Sequence, residues 1–224
     1  MKTLIGIGTY GIPEASRLAR VHPRTASRWM RGSGSKQHGR VFQPDLPAVG
    51  NRHALSFLDL IDLLVVGRFR ETGVSLQSVR RVYDRLSSIL NTTHPFGHVR
   101  LLTDGQTIFM ENFDQQGDED LEEVLSGQKA MPDVLRPYLK QIEYSSDTNK
   151  AVRWNIADGI VIDPDRAFGK PIVAEEGTTT FVLAHAYWAN DRNVDLVSDL
   201  YDVSTRAVIR AVEFETEFDA RHAA

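Results

Sequence analysis

The 224-residue sequence contains no cysteine, which excludes disulfide bonds, thiolate metal sites and a cysteine nucleophile. It also lacks any run approaching the roughly 20 apolar residues that a membrane-spanning helix requires. The apolar stretch at residues 4–7 is too short for the apolar region of a secretory signal peptide. These absences predict a cytoplasmic protein with no membrane partner.

The common spacing patterns of catalytic and metal sites are missing as well. The seven histidines show no H-E-x-x-H or other metal-ligand spacing, and no G-x-S-x-G nucleophile elbow occurs. Residues 114–123 are rich in carboxylates, but their spacing does not match an EF-hand loop. We therefore expect no enzyme activity, no cofactor and no metal site.

Carboxylates are scarce at the N-terminal end of the chain. Glu14 is the single acidic residue within residues 1–40, a segment that contains eight lysines and arginines. Residues 104–147 are strongly acidic, so the formal net charge of −4 conceals a basic end. Such an asymmetry favours one local polyanion-binding surface over uniform attraction to nucleic acid.

Residues 10–32, YGIPEASRLARVHPRTASRWMRG, show the pattern of two short helices joined by a tight turn. Pro13 and Glu14 suit a first helical turn, Pro23 opens a second helix, and Gly32 can end it. This pattern predicts a helix-turn-helix, whose second helix enters the DNA major groove.

The second helix of this pair should separate an apolar face from a basic face. Ala26, Trp29 and Met30 are expected to face the core. The outward residues can contact phosphates or base edges, where arginine pairs with guanine. The predicted DNA contacts are Arg17, Arg24, Thr25, Ser27, Arg28 and Arg31.

Two longer helices follow a polar loop. Ser56 is predicted to cap an amphipathic helix that ends near Gly73, and Ser75 is predicted to start the next helix. The arginines expected on the outside of this pair are Arg68, Arg70, Arg80, Arg81 and Arg85.

The sequences YGIPEASRLARVHPRTASRW and LSFLDLIDLLVVGRFRETGVSLQSVRRVY together resemble the MerR-type winged helix-turn-helix arrangement over roughly residues 9–90. The resemblance implies that the first helix pair reads double-stranded operator DNA and that a following helix packs behind it.

The middle of the chain has weaker signals. A hairpin is predicted from residues 98–102 and 107–110, because Asp104-Gly105 suits a tight turn. Residues 114–123 are interpreted as an acidic connector. Further short strands are predicted at residues 138–144 and 151–156.

The C-terminal part combines short strands, a helix and a second helix-turn-helix pattern. A strand is predicted at residues 160–162, Thr178–Thr180 can cap a helix, and Ser204 can cap the last helix. The cap region of that last helix offers weaker candidate contacts to DNA phosphates. These are Ser204, Thr205, Arg206 and Arg210.

Two runs in this part, VIDPDRAFGKPIV and TTTFVLAHAYWANDRNVDLVSDLYDVSTRAVIRAVEFE, are similar to a small domain of VapB-type antitoxins. Proteins of that family are the partners of PIN-domain (VapC-type) ribonuclease toxins. The resemblance extends over almost the whole chain and implies a type II toxin–antitoxin role. Candidate toxin-binding segments are the tail after Phe214 and the acidic residues 114–123, although both can equally be solvated surface.

The two predicted helix pairs differ in charge. The second pair contains eight carboxylates and three arginines in and around its helices. This excess of negative charge repels phosphate. We therefore expect the first pair to read DNA and the second to dimerise or to bind protein.

These observations predict a mainly α fold with small β hairpins (α+β) and two helix-turn-helix modules. The expected domains are residues 1–93 (MerR-like, DNA-binding), 94–153 (hairpin and connector) and 154–224 (antitoxin-type). The predicted protein is a homodimeric antitoxin that neutralises its toxin and represses its own operon. The alternative is a free-standing MerR-like regulator that senses a small molecule or a protein.

Overall fold

The computed structural model describes residues 6–32, 39–48, 53–98 and 131–220. The chain divides into two compact units. The front unit is Tyr10–Ala151, and the back unit comprises Met1–Thr9 with Val152–Ala224. Helices and small antiparallel sheets together give the α+β class that the sequence predicts.

The described part of the front unit is mostly helical. Its strands β1 and β2 pair antiparallel, with Tyr10 opposite Leu55. The elements are β1 (Tyr10–Gly11), α1 (Ile12–Ala19), α2 (Pro23–Arg31), β2 (Ala54–Leu55), α3 (Phe57–Glu71), α4 (Leu76–Leu90), a 3-10 turn (Pro95–Gly97), α5 (Met131–Leu139) and β3 (Ile142–Tyr144).

The predicted boundaries of α1 and α2 are confirmed, and local chemistry explains them. Arg20 ends α1 in the left-handed conformation, and its N–H donates to the Arg17 carbonyl. His22 Nδ1 then accepts a hydrogen bond from the Arg24 N–H at 3.2 Å, which caps α2. Gly32 ends α2 with a φ of 75°, a conformation that glycine adopts without strain.

Helix α3 is the centre of the front unit. Ser56 caps it as predicted, since Ser56 Oγ accepts from the Asp59 N–H at 3.1 Å and Asp59 Oδ2 accepts from the Ser56 N–H at 2.8 Å. The helix is buried on nearly all sides from Phe57 to Phe69, because α1, α4, α5 and the 3-10 turn pack around it. An amphipathic helix was expected, so the burial of its second face is a correction.

The prediction that Arg68 lies outside is wrong. Its side chain is 4% exposed, and its guanidinium donates to the Ala19 carbonyl at 2.8 Å and to Glu71 Oε2 at 2.6 Å. The last carbonyls of α1 have no partner within their own helix, so a buried arginine from α3 can satisfy one of them. Gly67, the preceding residue, allows the close approach: a Cβ there would lie 2.7 Å from Val21.

In the back unit, an antiparallel sheet supports three helices. β4 (Ala151–Ala157) pairs with β5 (Ile160–Ile162), and β5 pairs with β6 (Pro171–Val173). The helices are α6 (Thr180–Ala189), α7 (Val194–Tyr201) and α8 (Thr205–Ala220).

The predicted boundaries in the back unit are confirmed at several positions. Ser204 Oγ accepts from the Ala207 N–H at 3.1 Å, which caps α8, and Asp202 ends α7 in the left-handed conformation. The apolar core contains Ile160, Val173, Leu183, Val197, Val203, Ala207, Val208 and Ala211.

Several other predictions have different outcomes. The expected strand at residues 138–144 is shorter than predicted, because residues 138–139 end α5 and only Ile142–Tyr144 is extended. The predicted hairpin beyond His98, the acidic residues 114–123 and most of the loop after Gly32 lie outside the described residues. Within the described residues, no helix is long and apolar enough to cross a membrane.

Candidate functional sites

Helix α2 separates its two faces as the sequence predicts. Ala26, Trp29 and Met30 are at most 3% exposed. On the opposite face, the side chains of Arg24, Arg28 and Arg31 are exposed, and Thr25 and Ser27 are half-buried. The first turn of α2 has no acidic residue, so its partial positive charge is available to an anion.

A cleft of about 770 Å³ lies beside this basic face. Four arginines line it, together with the carboxylate of Glu71. Because Glu71 is paired with Arg68 at 2.6 Å, its charge is already partly balanced. The lining residues are Arg20, Val21, Thr25, Arg28, Trp29, Gly67, Arg70, Glu71, Leu76 and Arg80.

The cleft contains part of the predicted contact set. Thr25 and Arg28 line it, whereas Arg17, Arg24, Ser27 and Arg31 do not. Three further arginines of the lining were not predicted to lie beside α2, because they come from other segments: Arg20 from the α1–α2 turn, Arg70 from α3 and Arg80 from α4. Arg80 is held by the loop after α2, where its Nη2 donates to the Gly39 carbonyl at 2.8 Å.

The weaker candidates in the back unit have acidic partners. Ser204 Oγ donates to Glu176 Oε1 at 2.6 Å, and Arg210 Nη2 donates to Asp158 Oδ2 at 3.0 Å. Thr205 and Arg206 are exposed at the start of α8. Ser204 and Arg210 would therefore have to break these contacts with carboxylates before they could bind a phosphate.

Large apolar side chains are exposed on the helices of the back unit. Leu200 is 60% exposed and Phe181 is 57% exposed. On α6, helical spacing brings three rings into contact: Phe181 and His185 are tilted at 4.0 Å between centroids, and His185 and Trp188 meet edge to face at 5.4 Å. Exposed apolar surface of this kind is typical of protein-interaction sites. The others are Val182, Leu196, Tyr201 and Ile209.

Glu215 is an exception to the predicted acidic surface of this region. It is 5% exposed, and its Oε1 accepts a hydrogen bond from Thr180 Oγ1 at 2.5 Å. This carboxylate therefore links α8 to α6 inside the unit and adds little repulsion to the surface.

A second candidate site in the front unit is a cluster of three aspartates and a histidine, all of them buried except Asp45, which is partly exposed. His94 Nδ1 lies 2.7 Å from Asp62 Oδ2, and His94 Nε2 lies 3.0 Å from Asp45 Oδ2. Asp59 approaches the same ring, with Oδ1 at 4.0 Å from Nδ1. Tyr83 donates its hydroxyl to Asp62 Oδ2 at 3.2 Å.

Burial and the close packing of charges shift the ionisation of this cluster. Burial raises the pKa of Asp59 to about 6 and also raises the pKa of Asp62. Burial opposes protonation of His94, but the carboxylates of Asp45 and Asp62 outweigh it and raise the pKa of His94 to about 10. These groups therefore form one electrostatic unit.

No residue pattern in the sequence predicted this cluster. A signal was present in FLDLIDLL, where Asp59 and Asp62 interrupt an apolar stretch. The capping contact with Ser56 already accounts for Asp59, so its position in the sequence gives no separate reason to predict another role. Asp45 and His94 join the cluster only through the tertiary fold.

Comparison with known proteins gives two similarities. No protein-family model matches the chain. A Mycobacterium tuberculosis protein named "Putative antitoxin VapB45" is 25% identical over 187 residues, which cover 75% of this chain and 77% of the relative. The crystal structure of Rv2018 from Mycobacterium tuberculosis aligns with a TM-score of 0.73 at 25% identity, over 91% of this chain and 96% of that structure.

Both similarities extend over most of the chain, so they concern its whole architecture and not one helix pair. The sequence similarity supports a relationship to antitoxins, as the residue patterns predict.

Proposed function

We propose that this chain is the antitoxin of a toxin–antitoxin pair. It binds and neutralises a PIN-domain ribonuclease toxin, and as a dimer it binds operator DNA and represses its own operon. The observation that carries the proposal is the similarity to the VapB45 relative over 75% of the chain. The same similarity does not favour a free-standing regulator.

The basic face of α2 supports the DNA-binding part of the proposal. Arg24, Arg28 and Arg31 are exposed on a helix whose opposite face is anchored in the core. A rigid helix with outward arginines can place guanidinium groups against guanine edges in the major groove. In this proposal α1 and α2 act as the helix-turn-helix.

The arginine-lined cleft supports a role for phosphate contacts beside α2. Arg20, Arg28, Arg70 and Arg80 lie around one concavity, so a phosphate there would meet cations from several elements. Such contacts fix the protein on the duplex, while the base-edge contacts supply sequence specificity.

The exposed apolar side chains of the back unit support the protein-binding part. Leu200 and Phe181 are more than half exposed, which is unfavourable in water unless a partner covers them. In this proposal the back unit binds the toxin or the second copy of the chain. The carboxylate partners of Ser204 and Arg210 make this surface less suitable for DNA.

Copurification and inhibition test the toxin-binding part. The reading frame adjacent to the gene is expressed with a tag, alone and together with this chain. We expect a stable complex and loss of the partner's ribonuclease activity when the chain is added. A catalytically active partner that neither binds the chain nor is inhibited by it would contradict the proposal.

A footprint on the DNA upstream of the operon tests the other part. We expect protection of a site with two-fold symmetry, since a dimer presents two α2 helices. Absence of any protected site at low salt, with or without the toxin, would remove autorepression from the proposal.

A further inference from the structure

Three potential metal ligands converge in the front unit from separate segments of the chain. Asp45 belongs to the loop after α2, Asp59 lies in the first turn of α3, and His94 follows α4. One ligand atom from each residue lies within 4.8 Å of the other two. Ligands of a tetrahedral zinc ion, at about 2.0–2.2 Å from the metal, are roughly 3.3–3.6 Å apart, so side-chain rotations would suffice to close the site.

Two of these ligands present buried atoms that lack a hydrogen bond. Asp59 and His94 are at most 1% exposed, and Asp59 Oδ1 and His94 Nε2 have no hydrogen-bond partner among the described residues. His94 Nε2 lies 3.0 Å from Asp45 Oδ2, which is an ion-pair distance, so Asp59 Oδ1 is the atom of the two with the greater need of a partner. A buried polar atom without a partner is unfavourable, and a cation between these atoms would relieve that cost.

Asp62 occupies the position of a carboxylate that orients a metal-binding histidine. Its Oδ2 lies 2.7 Å from His94 Nδ1, on the side of the ring opposite to Nε2. Binding of the ion would displace the Nε2 proton of His94; Nδ1 then donates to Asp62, and the neutral imidazole presents the lone pair of Nε2 to the ion. Metal-binding histidines almost always donate their other ring N–H in this way.

From this geometry we propose that Asp45, Asp59 and His94 bind a divalent transition-metal ion, with Zn²⁺ the best match, and that Asp62 positions His94. Within the cluster, three carboxylates face one imidazole. A divalent ion balances this excess of negative charge. A water molecule completes the coordination of a four-coordinate ion.

The donor set distinguishes between classes of metal ion. One imidazole nitrogen with two carboxylate oxygens suits Zn²⁺ and its neighbours in the first transition row. Mg²⁺ requires near-octahedral oxygen coordination and holds its waters firmly, so it should compete poorly.

The ion would have a structural role. It would connect the loop after α2, the start of α3 and the segment after α4, and so hold these three segments together. Because the unfolded chain does not bring these ligands together, metal binding should stabilise the folded state.

The test uses the full chain after treatment with a chelator. Zn²⁺ is titrated by calorimetry, with Mg²⁺ as the comparison ion, and the melting temperature is recorded in each state. We expect one Zn²⁺ per chain with a dissociation constant in the micromolar range or below. We also expect a rise of several degrees in the melting temperature and no comparable effect of Mg²⁺.

Variants assign the binding to this cluster. Asp45→Asn is the main variant, because Asp45 is partly exposed and its loss should leave the fold intact; it should weaken Zn²⁺ binding at least tenfold. His94→Gln should abolish the site, and Asp62→Asn should weaken it about 10- to 100-fold as an orienting residue. His98→Gln removes a buried histidine outside the cluster and should leave Zn²⁺ binding unchanged.

Three results would overturn the proposal. The first is no saturable Zn²⁺ binding by the wild-type chain. The second is binding that Asp45→Asn leaves unchanged, which would place the ion on other histidines. The third is a loss of binding in His98→Gln equal to the loss in Asp45→Asn. If His94→Gln does not fold, Asp45→Asn alone decides.

Discussion

The front unit and the back unit each present a helix pair, α1–α2 and α7–α8 respectively, but the polar groups of the two pairs have different partners. Arg28 of α2 lines a cleft together with three further arginines, and the carboxylate in that lining, Glu71, is already paired with Arg68. In the back unit, Ser204 and Arg210 are held by Glu176 and Asp158. Similar local patterns in sequence therefore lead to different surfaces, and we propose that the first binds DNA and the second binds protein.

The largest expected effect comes from removing the cations of α2. The double variant Arg24→Ala with Arg28→Ala should bind the operator about 10²-fold more weakly or worse, since each arginine–guanine pair contributes roughly 1–3 kcal/mol. The salt dependence should also flatten, by about 0.9 in log–log slope for each phosphate that the protein no longer neutralises. Fluorescence anisotropy with the operator at several salt concentrations measures both quantities.

The matched control for this variant is Thr205→Ala with Arg206→Ala, at the exposed start of α8. It should change operator affinity less than threefold. A decrease as large as that of the α2 variant would show that the back unit also contacts DNA and would remove the contrast between the units.

The next effect concerns protein binding by the back unit. Leu200→Asp places a charge on a side chain that is 60% exposed, so the fold should tolerate it. At the centre of an interface such a change should cost about 2 kcal/mol or more, which is roughly a 30-fold loss in toxin affinity. Copurification and surface plasmon resonance with the toxin measure the loss.

Asp195→Ala is the control, because it changes an exposed residue of the same helix and should leave toxin binding nearly intact. If Leu200→Asp binds the toxin normally but elutes as a monomer, the apolar surface belongs to the dimer interface. If both toxin binding and oligomeric state are unchanged, this surface has neither role.

A smaller effect on stability and on operator binding is expected when a methyl group is added to α3 at Gly67, where the helix packs closely against the chain that follows α1. In Gly67→Ala the new Cβ would lie 2.7 Å from Val21, so the turn before α2 must shift. Overpacking of this kind should lower the free energy of unfolding by about 1–3 kcal/mol and weaken operator binding as well. Chemical denaturation and anisotropy, performed on the same preparation, test the two parts.

Gly159→Ala is the parallel change in the back unit, where the new Cβ would lie 2.6 Å from Arg210 and φ is +69°. It should also destabilise the protein, but it should leave operator affinity unchanged. Equal losses of affinity in both glycine variants would mean that the effect is a general loss of folded protein.

The smallest expected effect is that of Asp158→Ala, which releases Arg210 from its partner. Asp158 is 92% exposed, and ion pairs at such positions contribute at most about 1 kcal/mol. Stability should therefore change little, and operator affinity should remain within twofold. A large gain in DNA binding would show that this carboxylate masks a second DNA surface.

Local signals in the sequence predict much of the fold. Helix starts are predicted by Ser56 and Ser204, whose hydroxyl groups accept hydrogen bonds from backbone N–H groups three residues later. The end of α2 is predicted by Gly32, which has no side chain and adopts a positive φ without strain. The buried face of α2 also follows directly from helical periodicity. These features depend on neighbours in the chain and therefore do not require the tertiary structure.

Long-range contacts explain what the sequence does not predict. Arg68 has the spacing of an outward residue, yet the end of α1 offers it a carbonyl and it becomes buried. The arginines of the cleft come from four segments, α2, the α1–α2 turn, α3 and α4, so no single stretch of sequence predicts the cleft. The same holds for Asp45 and His94, which are far apart in the sequence and come together only in the folded structure.

Growth of cells that express the adjacent reading frame, with and without this chain, tests the central proposal most directly. We predict that the neighbour alone arrests growth, that the wild-type chain restores it, and that Leu200→Asp restores it poorly. The Arg24→Ala and Arg28→Ala double variant should still restore growth when expressed from a constitutive promoter. A neighbour that is toxic but is not neutralised by the wild-type chain would contradict the antitoxin role.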